Sequence, residues 1–338
     1  MHRAQQIELS RRRLLAAGGA LAIGAVATAC GSTKSSASTA SDAWSFTDDR
    51  KKKVNAEHRP KRVVAYTGSA AALHDFGLTT EIVGVFGPTK LKDGKPDVQA
   101  GNLDISKLTI VGNVWGEFNI EKYAALRPDL LITNMYEKSA LWFVPDDSKK
   151  KILDLAPSIG INAAHVSLPE PIGRYAELAA SLGADLKATQ VTAAKTRFDK
   201  AVDSLRRVAK DKPRLKVLAG SASTDLFYVS DPSVYADLSY YRELGVDFVM
   251  PNHVTGGFFE DLSWEKADKY PADLIMLDNR TAALQPAALK SNPTWTRLAA
   301  VRAGQVTPWL SEPRFSYAGC APLIELLVAA MQKAKKVT

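Results

Sequence analysis

Cysteine is nearly missing from this chain of 338 residues: Cys30 and Cys320 are the only two. That scarcity excludes a multi-cysteine metal site and a disulfide framework, so stability must come from packing. Long apolar runs are scarce as well. One stretch, Leu14 to Val26, is too short to span a bilayer as a stable helix, and no later run approaches that length. Phosphate-loop and dinucleotide glycine patterns are missing. Gly220-Ser221-Ala222-Ser223 and Tyr66-Thr67-Gly68-Ser69 both fall short of a Gly-x-Ser-x-Gly nucleophile turn, leaving a secreted hydrolase only the route of dispersed triad residues. His74, His165 and His253 come from three separate segments without metal-ligand spacing, and His58 sits in a charged leading segment. The formal charge is +8, of which the first 29 residues hold +3 through four arginines and one glutamate. The remaining +5 is scattered rather than striped, which gives nucleic-acid binding no support.

What is present begins with Ser10-Arg11-Arg12-Arg13-Leu14-Leu15, which resembles a twin-arginine export signal ahead of the short apolar run. Ala27-Thr28-Ala29-Cys30 resembles the lipobox of bacterial lipoproteins, with Ala27 standing where Leu is usual. Cleavage there leaves Cys30 as the first residue, carrying diacylglycerol and anchoring the protein to the outer face of the cell membrane. From Gly31 to Asp42 the chain is rich in Ser, Thr and Ala and too poor in apolar residues to fold, so it reads as a tether.

Beyond Pro60 the sequence duplicates itself weakly. Lys61 to Tyr66 reads as a buried strand, Ser69 to Phe76 as a helix stopped at Gly77, and Ile82 to Phe86 as a second strand. Leu215 to Ala219, Ser233 to Leu244, Gly245 and Asp247 to Met250 repeat that order. A longer phrase then recurs, Asn119 to Thr133 and Ser263 to Leu277, each reading as cap, short helix, proline turn and buried strand. Continuous Val, Ile and Leu strands alternating with helices predict parallel sheets covered on both faces. Between the repeats, Val191, Ala194, Phe198, Val202, Leu205 and Val208 mark one amphipathic helix from Lys187 to Lys210. It is long enough, at roughly 35 Å, to join two lobes stiffly and permit little hinge opening.

The predicted fold class is therefore α/β: two parallel-sheet lobes joined by one long helix, with a ligand cleft between them. The divisions are a signal segment over 1–29, a lipid-anchored tether over 30–59, a lobe over 60–186, the connecting helix over 187–211 and a second lobe over 212–338. This set of features resembles the substrate-binding lipoproteins of ferric-siderophore, haem and cobalamin ABC importers, which have the class III periplasmic-binding-protein fold. The phrase from Asn119 to Ile132 carries the resemblance most specifically. It implies a monomeric receptor, not an enzyme, with a small ferric chelate and a permease dimer as partners. No cofactor is implied; ferric iron arrives only within the chelate. It also implies that Glu121 and Glu265 meet arginines of the permease. A glutamate in the first turn of a helix also stabilises the helix dipole whether or not anything docks.

In parallel sheets a ligand sits beyond the carboxyl ends of the strands. That rule nominates Tyr66, Asn134 with Tyr136, Tyr228, and Asn279 with Arg280. The resemblance adds Trp115 and the loop holding Trp309, Arg314, Phe315 and Tyr317, before a final helix expected from Pro322. A hydroxamate siderophore needs a cation for its oxygens and aromatic faces for its methylene linkers, with Arg314 the first candidate and Arg280 the second. Catecholates, haem and cobalamin also suit an aromatic cleft. Hydroxamates rank first because a highly anionic catecholate complex calls for a denser basic pocket.

Overall fold

Which face a strand residue serves follows from period-two alternation, and here both faces are apolar. The computed structural model describes residues 43–338; the export signal, Cys30 and the tether up to residue 42 lie outside the described residues. The first sheet has the order β5-β4-β3-β6-β7, all parallel. Its strands are β3 (Val63–Tyr66), β4 (Ile82–Phe86), β5 (Thr109–Gly112), β6 (Leu130–Met135) and β7 (Ser158–Asn162). The helices around it are α1 (Thr67–Asp75), α2 (Ile120–Ala125), α3 (Lys149–Leu155) and α4 (Pro169–Ser181).

Ahead of this sheet, β1 (Trp44–Thr47) and β2 (Lys53–Ala56) pair as an antiparallel hairpin. This corrects the expected tether, whose residues 44–56 are folded against the first lobe. Trp44 and Phe46 are buried, Trp44 donates its indole N–H to Ser181, and the Asp48 carboxylate accepts the Gly160 amide at 3.0 Å. The hairpin left no signal in the sequence, because two short strands bury only alternate residues and show no helical period.

The helix α5 (Thr189–Asp211) leads into a second sheet of order β10-β9-β8-β11-β12. Its strands are β8 (Val217–Ala222), β9 (Leu226–Ser230), β10 (Phe259–Ser263), β11 (Leu274–Asp278) and β12 (Val306–Trp309). The helices are α6 (Ala236–Glu243), α7 (Pro286–Leu289), α8 (Pro293–Arg297), α9 (Ala299–Arg302) and α10 (Tyr317–Lys333). This sheet is mixed, since β9 runs antiparallel to both β8 and β10. The strand expected over Asp247 to Met250 is reduced to a single bridge between Val217 and Phe248.

The duplicated phrase places equivalent strands. Asp129 and Asp273 each precede their strand and accept a backbone amide from the neighbouring chain start, Lys61 in one lobe and Lys216 in the other, both at 2.9 Å. These bonds set the register in which Val63 pairs with Leu130 and Val217 with Leu274. The caps differ. Asn119 accepts the Lys122 amide at 2.8 Å, whereas Ser263 makes no side-chain cap and its segment is one 3-10 turn over Trp264–Lys266. The last helix begins at Tyr317, with Pro322 inside it, because Ser316 caps the Gly319 amide five residues earlier than proline placement implied.

One apolar cluster runs through both lobes. It takes Val63, Ala65, Leu130 and Ile132 from the first sheet and Val217, Ala219, Leu274 and Met276 from the second, with α5 and α10 between. The alternate residues, such as Val64 and Leu131 or Leu218 and Ile275, fill separate outer clusters. A dense shared core of this kind resists relative displacement of its parts.

Candidate functional site

The carboxyl end of β3 presents Tyr66, whose ring lies against Gly87, where a Cβ would collide with it and where φ is +92°. Its hydroxyl reaches Glu312 Oε2 at 2.6 Å. Burial first, and then the Glu312 carboxylate, raise the Tyr66 phenol well above its ordinary value, so it stays a proton donor. Glu312 follows β12 and is itself buried. It also accepts Trp142 Nε1 at 3.1 Å and Gln99 Nε2 at 3.3 Å, and its other oxygen meets Arg280 Nη1. Arg280, just past β11, is held by Asp278 as well, Nη2 to Oδ2 at 2.8 Å. Tyr66, Gln99 and Trp142 belong to the first lobe and Arg280 and Glu312 to the second, so this carboxylate ties the two lobes together.

Around it stands an aromatic group. The Trp115 and Trp142 ring centroids are 4.9 Å apart, Trp115 and Phe143 5.0 Å, and Phe143 and Tyr66 5.5 Å. Tyr136 meets Trp142 edge to face at 5.0 Å and Asn134 Nδ2 through its hydroxyl at 3.3 Å. Trp115 is 65% exposed, which is unusual for an indole and marks a surface offered to something else. A cavity of about 370 Å³ opens beside Trp115, Trp142 and Phe143, rimmed by Glu137, Asp146 and Asp147. A larger hollow of about 710 Å³ lies on the outer edge of the first lobe beside β5 and is lined by none of these aromatics.

Of the nominated residues, the structure brings Tyr66, Trp115, Tyr136 and Arg280 together. Asn134 is buried close by, accepting the Tyr175 hydroxyl at 2.5 Å, and Asn279 Oδ1 is buried with no partner among the described residues. The others are placed elsewhere. Tyr228 is mid-strand in β9, paired with Ser221 and Asp261; the strand-end rule does not transfer to an antiparallel strand. Trp309 is buried, giving its N–H to Asp237 at 2.7 Å. Arg314 is bound by Asp75 at 2.8 Å and threads between Gly101 and Gly319, where a Cβ at either would collide with it. Phe315 is buried and stacked on Tyr175, and Tyr317 packs between Phe76 and Phe198 at the head of α10. Arg314, Phe315 and Tyr317 serve the junction between the lobes, while Trp309 packs within its own: the loop after β12 continues into α10, which packs along α5 and α1.

Trp142, Phe143, Gln99 and Glu312 were missed. The adjacent aromatic pair Trp142-Phe143 soon after the end of β6 was an available signal. Nothing local marked Gln99 or Glu312, which acquire their role only by meeting across the lobes. Glu121 and Glu265 are both exposed, each in the first turn of its short helical segment. Among the described residues no group of three or more His, Cys, Asp or Glu side chains could hold a metal ion, and no helix is long and apolar enough to cross a membrane.

Comparison with known proteins adds the following. The periplasmic binding protein family matches residues 63–313. The solved structure of DesE, a ferric-siderophore receptor protein from Streptomyces coelicolor, is 52% identical and covers 87% of this chain and 100% of its own, with a TM-score of 0.85. The Fe(3+)-citrate-binding protein YfmC of Bacillus subtilis strain 168 is 25% identical over 260 residues, 76% of each chain. The petrobactin-binding protein YclQ from Bacillus subtilis, 18% identical with a TM-score of 0.61 and coverage of 86% and 97%, is alike in fold.

Proposed function

Because the chain belongs to the periplasmic binding protein family, we propose that it is an extracytoplasmic receptor that captures a ferric siderophore, of hydroxamate type, and delivers it to an ABC importer. The observation that carries this reading is the 52% identity to a ferric-siderophore receptor along that protein's whole length. The site chemistry supports it. Trp115, Trp142 and Phe143 supply flat apolar faces for the methylene linkers, and Arg280 supplies N–H donors for oxygens around the iron. Iron belongs to the cargo, and no resident cofactor is part of the proposal.

Two finer parts belong to the same reading. Cys30, with the lipobox-like Ala27-Thr28-Ala29 before it, is the proposed lipid attachment point that keeps the receptor at the membrane. Glu121 and Glu265, one on each lobe, are the proposed contacts to the two-fold permease.

Titrating tryptophan fluorescence of the protein lacking residues 1–42 against ferric trihydroxamates, ferric catecholates, haem and cobalamin tests the ligand. Quenching by trihydroxamates at the lowest concentration is expected. Binding of cobalamin or haem alone would replace the reading with another cargo of the same fold. Trp115→Ala should weaken the preferred chelate about tenfold while leaving the melting temperature unchanged, since the ring is mostly exposed.

A further inference from the structure

The charges gathered at the cleft are mostly of one sign. Arg280 is its one paired cation, and it faces two carboxylates, Asp278 and Glu312. Asp97, buried, comes from the first lobe and binds Thr281 beside Arg280, with no salt bridge among the described residues. Glu137, Asp146 and Asp147 rim the aromatic cavity, and Asp146 has only a loose contact to Lys149 at 3.7 Å. Next to these groups in the chain, Asn279 Oδ1 and Ser311 Oγ are buried with no hydrogen-bond partner among the described residues. Buried polar atoms are seldom left unpaired, and an amide oxygen in this state is an acceptor waiting for a donor. Glu312 meets only donors, from Tyr66, Gln99, Trp142 and Arg280.

We infer that the cleft selects its chelate by charge, with Glu312 as the specificity-determining residue: it prefers a cationic ferric complex, accepts a neutral one and rejects an anionic one. The inference rests on the siderophore reading above and narrows it. A ferric ion held by three hydroxamates is neutral, so a trihydroxamate bearing a protonated amine carries one positive charge, whereas triscatecholate and citrate complexes are anionic. A carboxylate about 10 Å from such a charge, at the effective dielectric of a partly buried site, changes affinity roughly tenfold per unit of charge. Burial between the lobes limits screening by salt.

The test uses one linear trihydroxamate scaffold, loaded with iron, with its terminal amine free, acetylated or succinylated, giving charges of +1, 0 and −1. Fluorescence titration of the protein lacking residues 1–42 should give affinities falling in that order, about tenfold at each step, with ferric citrate not bound. Glu312→Gln should flatten the order, while Glu170→Gln, an exposed glutamate at the start of α4, should preserve it. Equal affinities for the three wild-type complexes, or a preference for the succinylated one, would overturn the charge selection and leave the siderophore reading standing. An undiminished order in Glu312→Gln would remove that residue from the role. Should Glu312→Gln not fold, Asp147→Asn on the exposed rim must lower the preference for the cationic complex, and an unchanged order there counts against the inference. Failure of every ferric chelate to bind would overturn both readings together.

Discussion

Asp237 shows how much a single buried group contributes. It lies in the first turn of α6 and accepts the Trp309 indole N–H at 2.7 Å. Burial pushes its carboxyl up to about 7, with the Trp309 bond opposing that rise. A carboxyl whose folded value exceeds its unfolded value of about 3.9 is most compatible with folding when protonated. Its contribution is thus complete below about pH 4 and is lost as pH rises through 7, amounting to about 2–4 kcal/mol across that range. Melting curves between pH 5 and 8 should show stability from this group declining with rising pH. Asp237→Asn should remove that part of the slope, and an identical slope in both proteins would refute the account. The same pair explains why Trp309, expected in the cleft, serves instead as a core anchor.

At the scale of elements, the two copies of the strand-clamping aspartate have diverged. Asp129 is exposed and holds the Lys61 and Arg62 amides, at 2.9 and 3.0 Å. Asp273 is fully buried; besides the Lys216 amide it accepts the amides of Val337 and Thr338 and the Thr338 hydroxyl. Removing a buried acceptor strands several donors, whereas donors near water find replacements. Asp273→Ala should therefore lower unfolding free energy by about 2–4 kcal/mol and Asp129→Ala by less than about 1 kcal/mol. Denaturant titration of both variants measures the difference, and equal losses would contradict it. The repeat made these elements legible: β4 was expected over Ile82 to Phe86 and observed there. The antiparallel pairing of β9 with β10 was not legible, because Leu226–Ser230 and Phe259–Ser263 are brief, and their pairing partners lie some thirty residues apart in sequence.

For the whole molecule, the shared core through α5 and α10 and the Glu312 tie both oppose wide opening, which suits a receptor whose outer surface is presented to a partner in a fixed geometry. Glu121→Lys combined with Glu265→Lys should abolish uptake in cells and leave chelate affinity within about twofold, because both side chains are exposed on short helical segments apart from the aromatic cluster. A loss of affinity in that double variant would relocate these glutamates to the binding site. The meeting of Tyr66, Tyr136 and Arg280 around Glu312 was legible in outline, since all three lie at or just beyond strand ends. Its second half was misplaced: Arg314, the first candidate for the oxygen contact, is engaged by Asp75.

The repeated strand–helix units, such as β3, β4, β6, β8 and β11, and the long connecting helix were determined by the sequence alone, because hydrophobic period and turn chemistry act over a few neighbouring residues. Which arginine stands beside the aromatic group, which tryptophan is exposed and which carboxylate joins the lobes were decided only by tertiary structure. Those properties depend on residues distant in sequence: Arg314 meets Asp75 from α1, Trp309 meets Asp237 from α6 within its own lobe, and Glu312 meets Tyr66, Gln99 and Trp142 from the opposite lobe. No local pattern encodes partners that lie 72 to 246 residues away.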